Sequence, residues 1–201
     1  MVYKRADIAT VSNGLAKLIR YSIDGDSKVI SVKEEIINVK SYLEIQSIRF
    51  RNRFSYEIII PEEMNSITII KLVLQPIVEN CICHGIGDMD SKGHIQIKGE
   101  IYQKEAALYI RDNGAGILPE DLVCLLEAVN REENEKEAVE LEVKKKGNNV
   151  GLRNINLRLK MYYGEAYGLR INSKQGEGTE VEIRIPLGRE ENNGEIVARG
   201  R

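Results

Sequence analysis

Short stretches of this chain alternate apolar with polar residues, and that period-two grammar constrains the fold more than any other feature. Phe54, Tyr56, Ile58 and Ile60 share one side of a strand that Pro61 ends. Ile95, Ile97 and Ile101 alternate with Gln96, Lys98 and Glu100, and Ala106, Leu108 and Ile110 alternate with Ala107, Tyr109 and Arg111. The short Gln103-Lys104-Glu105 link predicts that these two form a hairpin. Tyr167, Leu169 and Ile171, then Val181, Ile183 and Ile185, predict a second hairpin joined through Lys174 to Glu177. Strands of this kind build a sheet with one wet face and one covered face. Helices must supply the cover. Pro119-Glu120-Asp121 opens one, and Val150 to Tyr163, closed by Gly164, forms another. The expected fold is α+β: a two-layer α/β sandwich with a mixed sheet.

Before the strands the chain reads as a helical hairpin. Ile8, Val11, Leu15 and Leu18 keep helical spacing until Asp24-Gly25-Asp26 breaks it. Ser31 to Glu34 is a capping box, and Val32, Ile36, Val39, Leu43 and Phe50 carry a second stripe to Arg51. These stripes pack either on the rest of the chain or on a second copy of themselves. The expected division is a hairpin over 1–53, a sandwich over 54–187 with a flap at about 117–147, and a disordered polar tail over 188–201. The flap is glycine-bounded and splits into acidic and basic halves.

Leu72 to Gly85, LVLQPIVENCICHG, predicts a helix whose Leu74, Ile77, Val78, Cys81 and Ile82 form one apolar stripe. Pro76 either kinks it or sets its start near Gln75. Asn80 and His84 flank the stripe on one side, Gln75 and Glu79 on the other, so polar groups edge a buried face. The Asn80 carboxamide suits a hard cation such as Mg²⁺, or else bonds nearby backbone. Cys81, Cys83 and His84 do not make a zinc site, because Cys83 points away from Cys81 on a helix.

Asp112 shares its parity with Leu108 and Ile110, so its carboxylate points to the covered face and needs a donor. Gly114 and Gly116 follow, allowing close backbone approach. An adenine edge would fit there; so would a plain Asp-Asn-Gly turn. Gly147 to Leu152 opens a helix with free N–H groups that attract phosphate, unless Asn149 is simply an N-cap. The charge balance is 29 basic against 31 acidic residues, which leaves no field to recruit nucleic acid. Three cysteines argue against a disulfide framework and fit a reducing, cytoplasmic compartment. The sequence contains neither a long apolar run nor a leader pattern.

In order, LQPIVEN, DNGAGI, the glycine-bounded insert, GNNVGLRNINLRL and GEGTEVEI resemble the ATP-binding domain shared by sensor histidine kinases, DNA gyrase, MutL and heat-shock chaperones. YLEIQSIRFRNRF, VENCICHG and GLRNINLRLKMYYG look like the LytS/YesM type of bacterial two-component sensor kinase, which extends the likeness to nearly the whole chain. The resemblance implies ATP and Mg²⁺ as ligands. It puts Asn80 on the metal, Asp112 on the adenine amino group, and Gly114 and Gly116 beneath the base. Gly147, Gly151 and Leu152 fall at the hinge and phosphate loop, His84 within the nucleotide-side pattern, and Thr179 beside Asp112. The flap would be the ATP lid. Asn149 stands where many relatives have glycine.

Gyrase-like hydrolases are similar to one another in a glutamate four residues before the metal asparagine, and here that position is Pro76. This favours phosphoryl transfer over hydrolysis; Glu79 is the nearby acid, either a base or a surface carboxylate. The implied function is the catalytic part of a sensor histidine kinase that serves a response regulator and is a homodimer when full-length. Kinases of this type take phosphate on a histidine in the first helix, and this sequence has only His84 and His94. The expectation is therefore a fragment, unable to label itself, whose membrane attachment lies in missing segments. The alternatives are a nucleotide-binding regulatory module without chemistry and a gyrase-like or chaperone-like ATPase.

Overall fold

A computed structural model describes residues 5–23, 28–87, 92–131 and 149–187. Helices α1 (Arg5–Ile23) and α2 (Val32–Arg49) form the expected hairpin. Ser31 caps α2: its Oγ accepts from the Glu34 N–H at 3.2 Å, while the Glu34 carboxylate takes the Ser31 N–H at 2.9 Å. Val32, Val39 and Leu43 of the predicted α2 stripe are buried. The α1 stripe packs less completely, with Leu15 47% exposed, because Gly14 is the α1 residue pressed against Ile45 of α2.

The main sheet has the order β2-β4-β5-β7-β6, formed by β2 (Phe54–Ile59), β4 (Gly93–Ile101), β5 (Glu105–Asp112), β7 (Gly178–Pro186) and β6 (Arg170–Lys174). β2 runs parallel to β4, and the other pairs are antiparallel, so the sheet is mixed. The β4-β5 and β6-β7 hairpins are the two that the alternation predicts. Strand β6 begins at Arg170 rather than Tyr167. The Leu169 N–H just before it is drawn to Asn156 at 2.7 Å instead of entering a ladder.

The period-two expectation places the core. Ile95, Ile97, Ala106, Leu108, Ile110, Val181, Ile183 and Ile185 are buried on the helix side. On the other face Arg184 bridges Glu182 and Glu105 at 2.6 and 3.0 Å. Covering the sheet are α3 (Leu74–Asn80), α4 (Pro119–Asn130) and α5 (Asn149–Tyr163). Asn156 of α5 ties this layer together: its amide donates to the Val129 carbonyl at 2.8 Å at the end of α4, and its oxygen takes the Leu169 N–H.

A small second sheet is new relative to the sequence reading. β1 (Val29–Ser31) pairs antiparallel with β3 (Thr68–Ile70), three residues against three, too short to leave a periodic signal. It crosses the expected boundary at residue 54, and one apolar core includes α2 residues together with the sheet and α3–α5. Pro119–Asn130, within the expected flap, is a packed helix with Val129 fully buried. The charge-split remainder and the tail lie outside the described residues. No helix among the described residues is long and apolar enough to cross a membrane.

Candidate nucleotide site

The site forms where the ends of α3 and β5 meet. α3 is regular only to Asn80; Cys81–Ile86 continues as a π-helical turn. The predicted stripe survives, since Leu74, Ile77, Val78, Cys81 and Ile82 are all buried. A π turn alters the helical register after Asn80, and such turns concentrate at functional sites. His84 lies exposed on that turn. Pro76 sits at the third position of α3, where its missing N–H costs no helical bond.

Asp112, the last residue of β5, is 2% exposed, as its parity predicts. Its Oδ1 takes the Gly114 N–H at 2.8 Å, and the Thr179 N–H and the Cys81 thiol also bond the carboxylate. Burial pushes the Asp112 pKa up, and those three donors pull the other way without cancelling it. Burial and the Asp112 charge push the Cys81 thiol up, so it stays protonated as a donor. Cys81 follows Asn80 directly, so one side chain joins the α3 end to the β5 end. That role was not legible in the sequence, where a buried cysteine on an apolar stripe reads as packing.

Backbone crowding holds the carboxylate in place. A Cβ on Gly85 would lie 2.7 Å from Asp112 Oδ1, and one on Gly114 would lie 2.2 Å from the Gly85 carbonyl oxygen. The Ala115 N–H bonds that same carbonyl at 2.9 Å. On the other side Gly178, at φ +100°, would place a Cβ 2.0 Å from the Asp112 carbonyl oxygen. Gly116 adopts φ +64° with its Cβ direction filled by the Lys174 carbonyl. Gly114 and Gly116 are therefore required by the protein's own backbone. Sequence reading gave a role to neither Gly85 nor Gly178, although each lies inside a segment it used.

The remaining predicted residues fall as follows. Thr179 is half-buried on β7 beside Asp112, with its hydroxyl 2.8 Å from that of Ser173. Gly151 is exposed in the first turn of α5, and a Cβ there would meet nothing within 4 Å. The Leu152 side chain is buried in the core, so only its backbone remains for a ligand. Gly147 lies outside the described residues. Glu79 is held by Gln75 at 3.0 Å. Asn80 is half-buried, and its carboxamide has no hydrogen-bond partner among the described residues. A free amide oxygen on a partly dry ledge fits Mg²⁺, which takes few protein oxygens along with waters and phosphates.

The sequence profile of the histidine kinase-, DNA gyrase B-, and HSP90-like ATPases matches residues 65–189, and that of the histidine kinase family matches residues 1–54. The sensor histidine kinase YpdA of Escherichia coli K12 is 35% identical over 173 residues, which is 86% of this chain and 27% of YpdA. The sensor histidine kinase YesM of Bacillus subtilis 168 is 29% identical over 183 residues, 91% of this chain and 28% of YesM. The chain thus spans between a quarter and a third of these relatives. Among solved structures, a nucleotide-free catalytic domain of the histidine kinase ThkA aligns with a TM-score of 0.56 at 15% identity, covering 79% of this chain and 95% of that one. The histidine kinase domain of the blue-light activated kinase from Erythrobacter litoralis EL346 aligns at 0.52 and 13% identity, over 92% of this chain and 76% of that one. At such identities the likeness speaks for the fold alone.

Proposed function

The chain belongs to the histidine kinase-, DNA gyrase B- and HSP90-like ATPase family, in its sensor histidine kinase branch, and from that premise we propose that it binds Mg-ATP between Asp112 and Asn80 and passes the γ-phosphate to a histidine outside its own sequence. The observation that carries this reading is the pairing of a buried, backbone-clamped carboxylate with a carboxamide that has no hydrogen-bond partner among the described residues. Asp112 offers an acceptor oxygen to the adenine amino group, and Thr179 lies on the same side. Asn80 would hold the metal, whose chemistry there would be to neutralise phosphate charge. The exposed first turn of α5 at Gly151 leaves room for phosphates beside free backbone N–H groups.

The chemistry is in-line displacement. A neutral imidazole nitrogen attacks the γ-phosphorus, the bond to the β–γ bridging oxygen breaks, and ADP leaves with that electron pair. The chain's contribution is to position and orient. Pro76 occupies the place of the hydrolases' water-activating glutamate, which supports transfer rather than hydrolysis. Neither histidine suits the acceptor role. His84 is held on the π turn beside the site, and the His94 ring lies 3.0 Å from the Ser55 hydroxyl on the sheet. In the whole protein the phosphate passes on to a response regulator, and the exposed Leu15 and Ile19 of α1 and Ile37 of α2 suit a second hairpin in a homodimer. Titration calorimetry with ATP, with and without Mg²⁺, tests the site: Asn80→Ala should lose affinity mainly in Mg²⁺. An unchanged Mg²⁺-dependent gain would remove Asn80 from the metal.

A further inference from the structure

Three backbone N–H groups at the start of α3 end on one buried carboxylate. Glu35, in the first turn of α2 and 1% exposed, accepts through Oε1 from Val73 at 2.8 Å and Leu74 at 2.9 Å. Its Oε2 accepts from Leu72 at 3.2 Å. Val73, the N-cap residue, offers no side-chain acceptor, so a carboxylate from another helix satisfies donors that a capping side chain would otherwise take. Charge-assisted bonds of this kind are stronger than neutral ones.

Two further elements converge on the same spot. The Tyr21 hydroxyl of α1 donates to Glu35 Oε2. Burial, and then the Glu35 charge, raise the Tyr21 pKa, so the hydroxyl keeps its proton. From α5, Arg158 donates to the Leu72 carbonyl at 3.2 Å and to the Lys71 carbonyl. Between these partners Leu72 holds φ +60°, a region that side chains with a Cβ rarely adopt. The start of α3 is therefore fixed by α1, α2 and α5 together.

We infer that Glu35 is a positioning residue for Asn80. This rests on the reading of Asn80 as the metal-side residue. α3 is seven residues long, so Asn80 stands about 10 Å along a rigid helix from the Glu35 clamp. A shift at the clamp is carried to the carboxamide. Asp112 is fixed chiefly by the β5 register with β4 and β7 and by the Gly114 and Gly178 contacts, and shares only the Cys81 thiol and the Gly85 contact with the turn that continues α3. The two halves of the site thus answer mainly to different supports, joined at Cys81. Because Tyr21 belongs to α1, the same carboxylate ties both hairpin helices to the helix that carries Asn80.

The test uses the full chain, with Glu35→Gln and Glu35→Asp beside wild type, ATP as the probe with and without Mg²⁺, and amide hydrogen exchange without nucleotide. Glu35→Gln should reduce the Mg²⁺-dependent gain in ATP affinity by roughly fivefold or more. Metal-free ADP affinity, which reads the Asp112 half, should fall by a much smaller factor, since only Cys81 carries the shift there. Exchange should accelerate over residues 72–80 and not in β5 or β7. Glu35→Asp keeps the charge but is one methylene short, and should recover part of both effects. Should Glu35→Gln fail to fold, Tyr21→Phe removes one donor and should accelerate exchange at residues 72–74. Equal exchange over 72–80 in Glu35→Gln and wild type would overturn the inference. So would a proportional fall of metal-free and metal-bound affinity, which marks a general structural role. Absence of nucleotide binding in wild type would contradict the reading of the site instead, and the exchange comparison would still decide whether Glu35 clamps α3.

Discussion

At Asp112 the interior resists the charge that the proposed function needs. A carboxylate whose pKa is raised on folding favours the native state most at low pH, below its ordinary value of 3.8. That contribution is lost as pH rises through the elevated folded value. Lowering the pH from 7 to about 4 should therefore move the stability difference between wild type and Asp112→Asn in favour of wild type. Denaturant unfolding across that range measures it, and a pH-independent difference would contradict the assignment. The same variant puts a donor where the adenine amino group needs an acceptor, and should weaken ADP by about 1 to 3 kcal/mol. Calorimetry showing equal ADP affinity would return Asp112 to a turn-capping role. Gly85→Ala should cost about 1 to 3 kcal/mol of stability, because its methyl group lands on the Asp112 carboxylate. Urea titration checks this, and a neutral result would mean that the Gly85 backbone can retreat. Asp112 was legible from strand parity alone. Glu35 was not: an acid in the first turn of a capped helix looks solvated, and only the return of the chain at residues 72–74 gives it donors.

Among elements, legibility followed length and period. The strands β4, β5 and β7 and the capped helix α2 declared themselves, because each repeats its pattern long enough to fix one buried face. The β1–β3 pair did not, since three residues carry no period. α3 was half legible: its stripe was visible, but the π turn after Asn80 leaves no mark in spacing. Asn156 shows the opposite case, a residue inside a family-like motif, GLRNINLRL, whose visible task is structural. It satisfies the Val129 carbonyl and the Leu169 N–H at once, so Asn156→Ala should cost about 1 to 3 kcal/mol. The loss should fall on the α4–α5 layer, read as faster hydrogen exchange at residues 125–130 and 169–171. Unchanged exchange there would show that water replaces the amide.

For the whole molecule, the hairpin and the sandwich share one core and a β pair, so the site is supported from both sides of residue 54. The division at that residue, which composition and periodicity suggest, is in our reading functional: the sandwich holds the nucleotide, and the acceptor histidine comes from outside this sequence. With His84 and His94 as its only histidines, the chain should bind ATP without labelling itself and should act on a histidine supplied separately. Incubation with γ-labelled ATP, Mg²⁺ and a separate helical segment bearing an acceptor histidine puts this directly. Acid-labile label should appear on the segment and not on the chain. Acid-labile label on the chain alone, or an unlabelled segment despite bound Mg-ATP, would contradict the account.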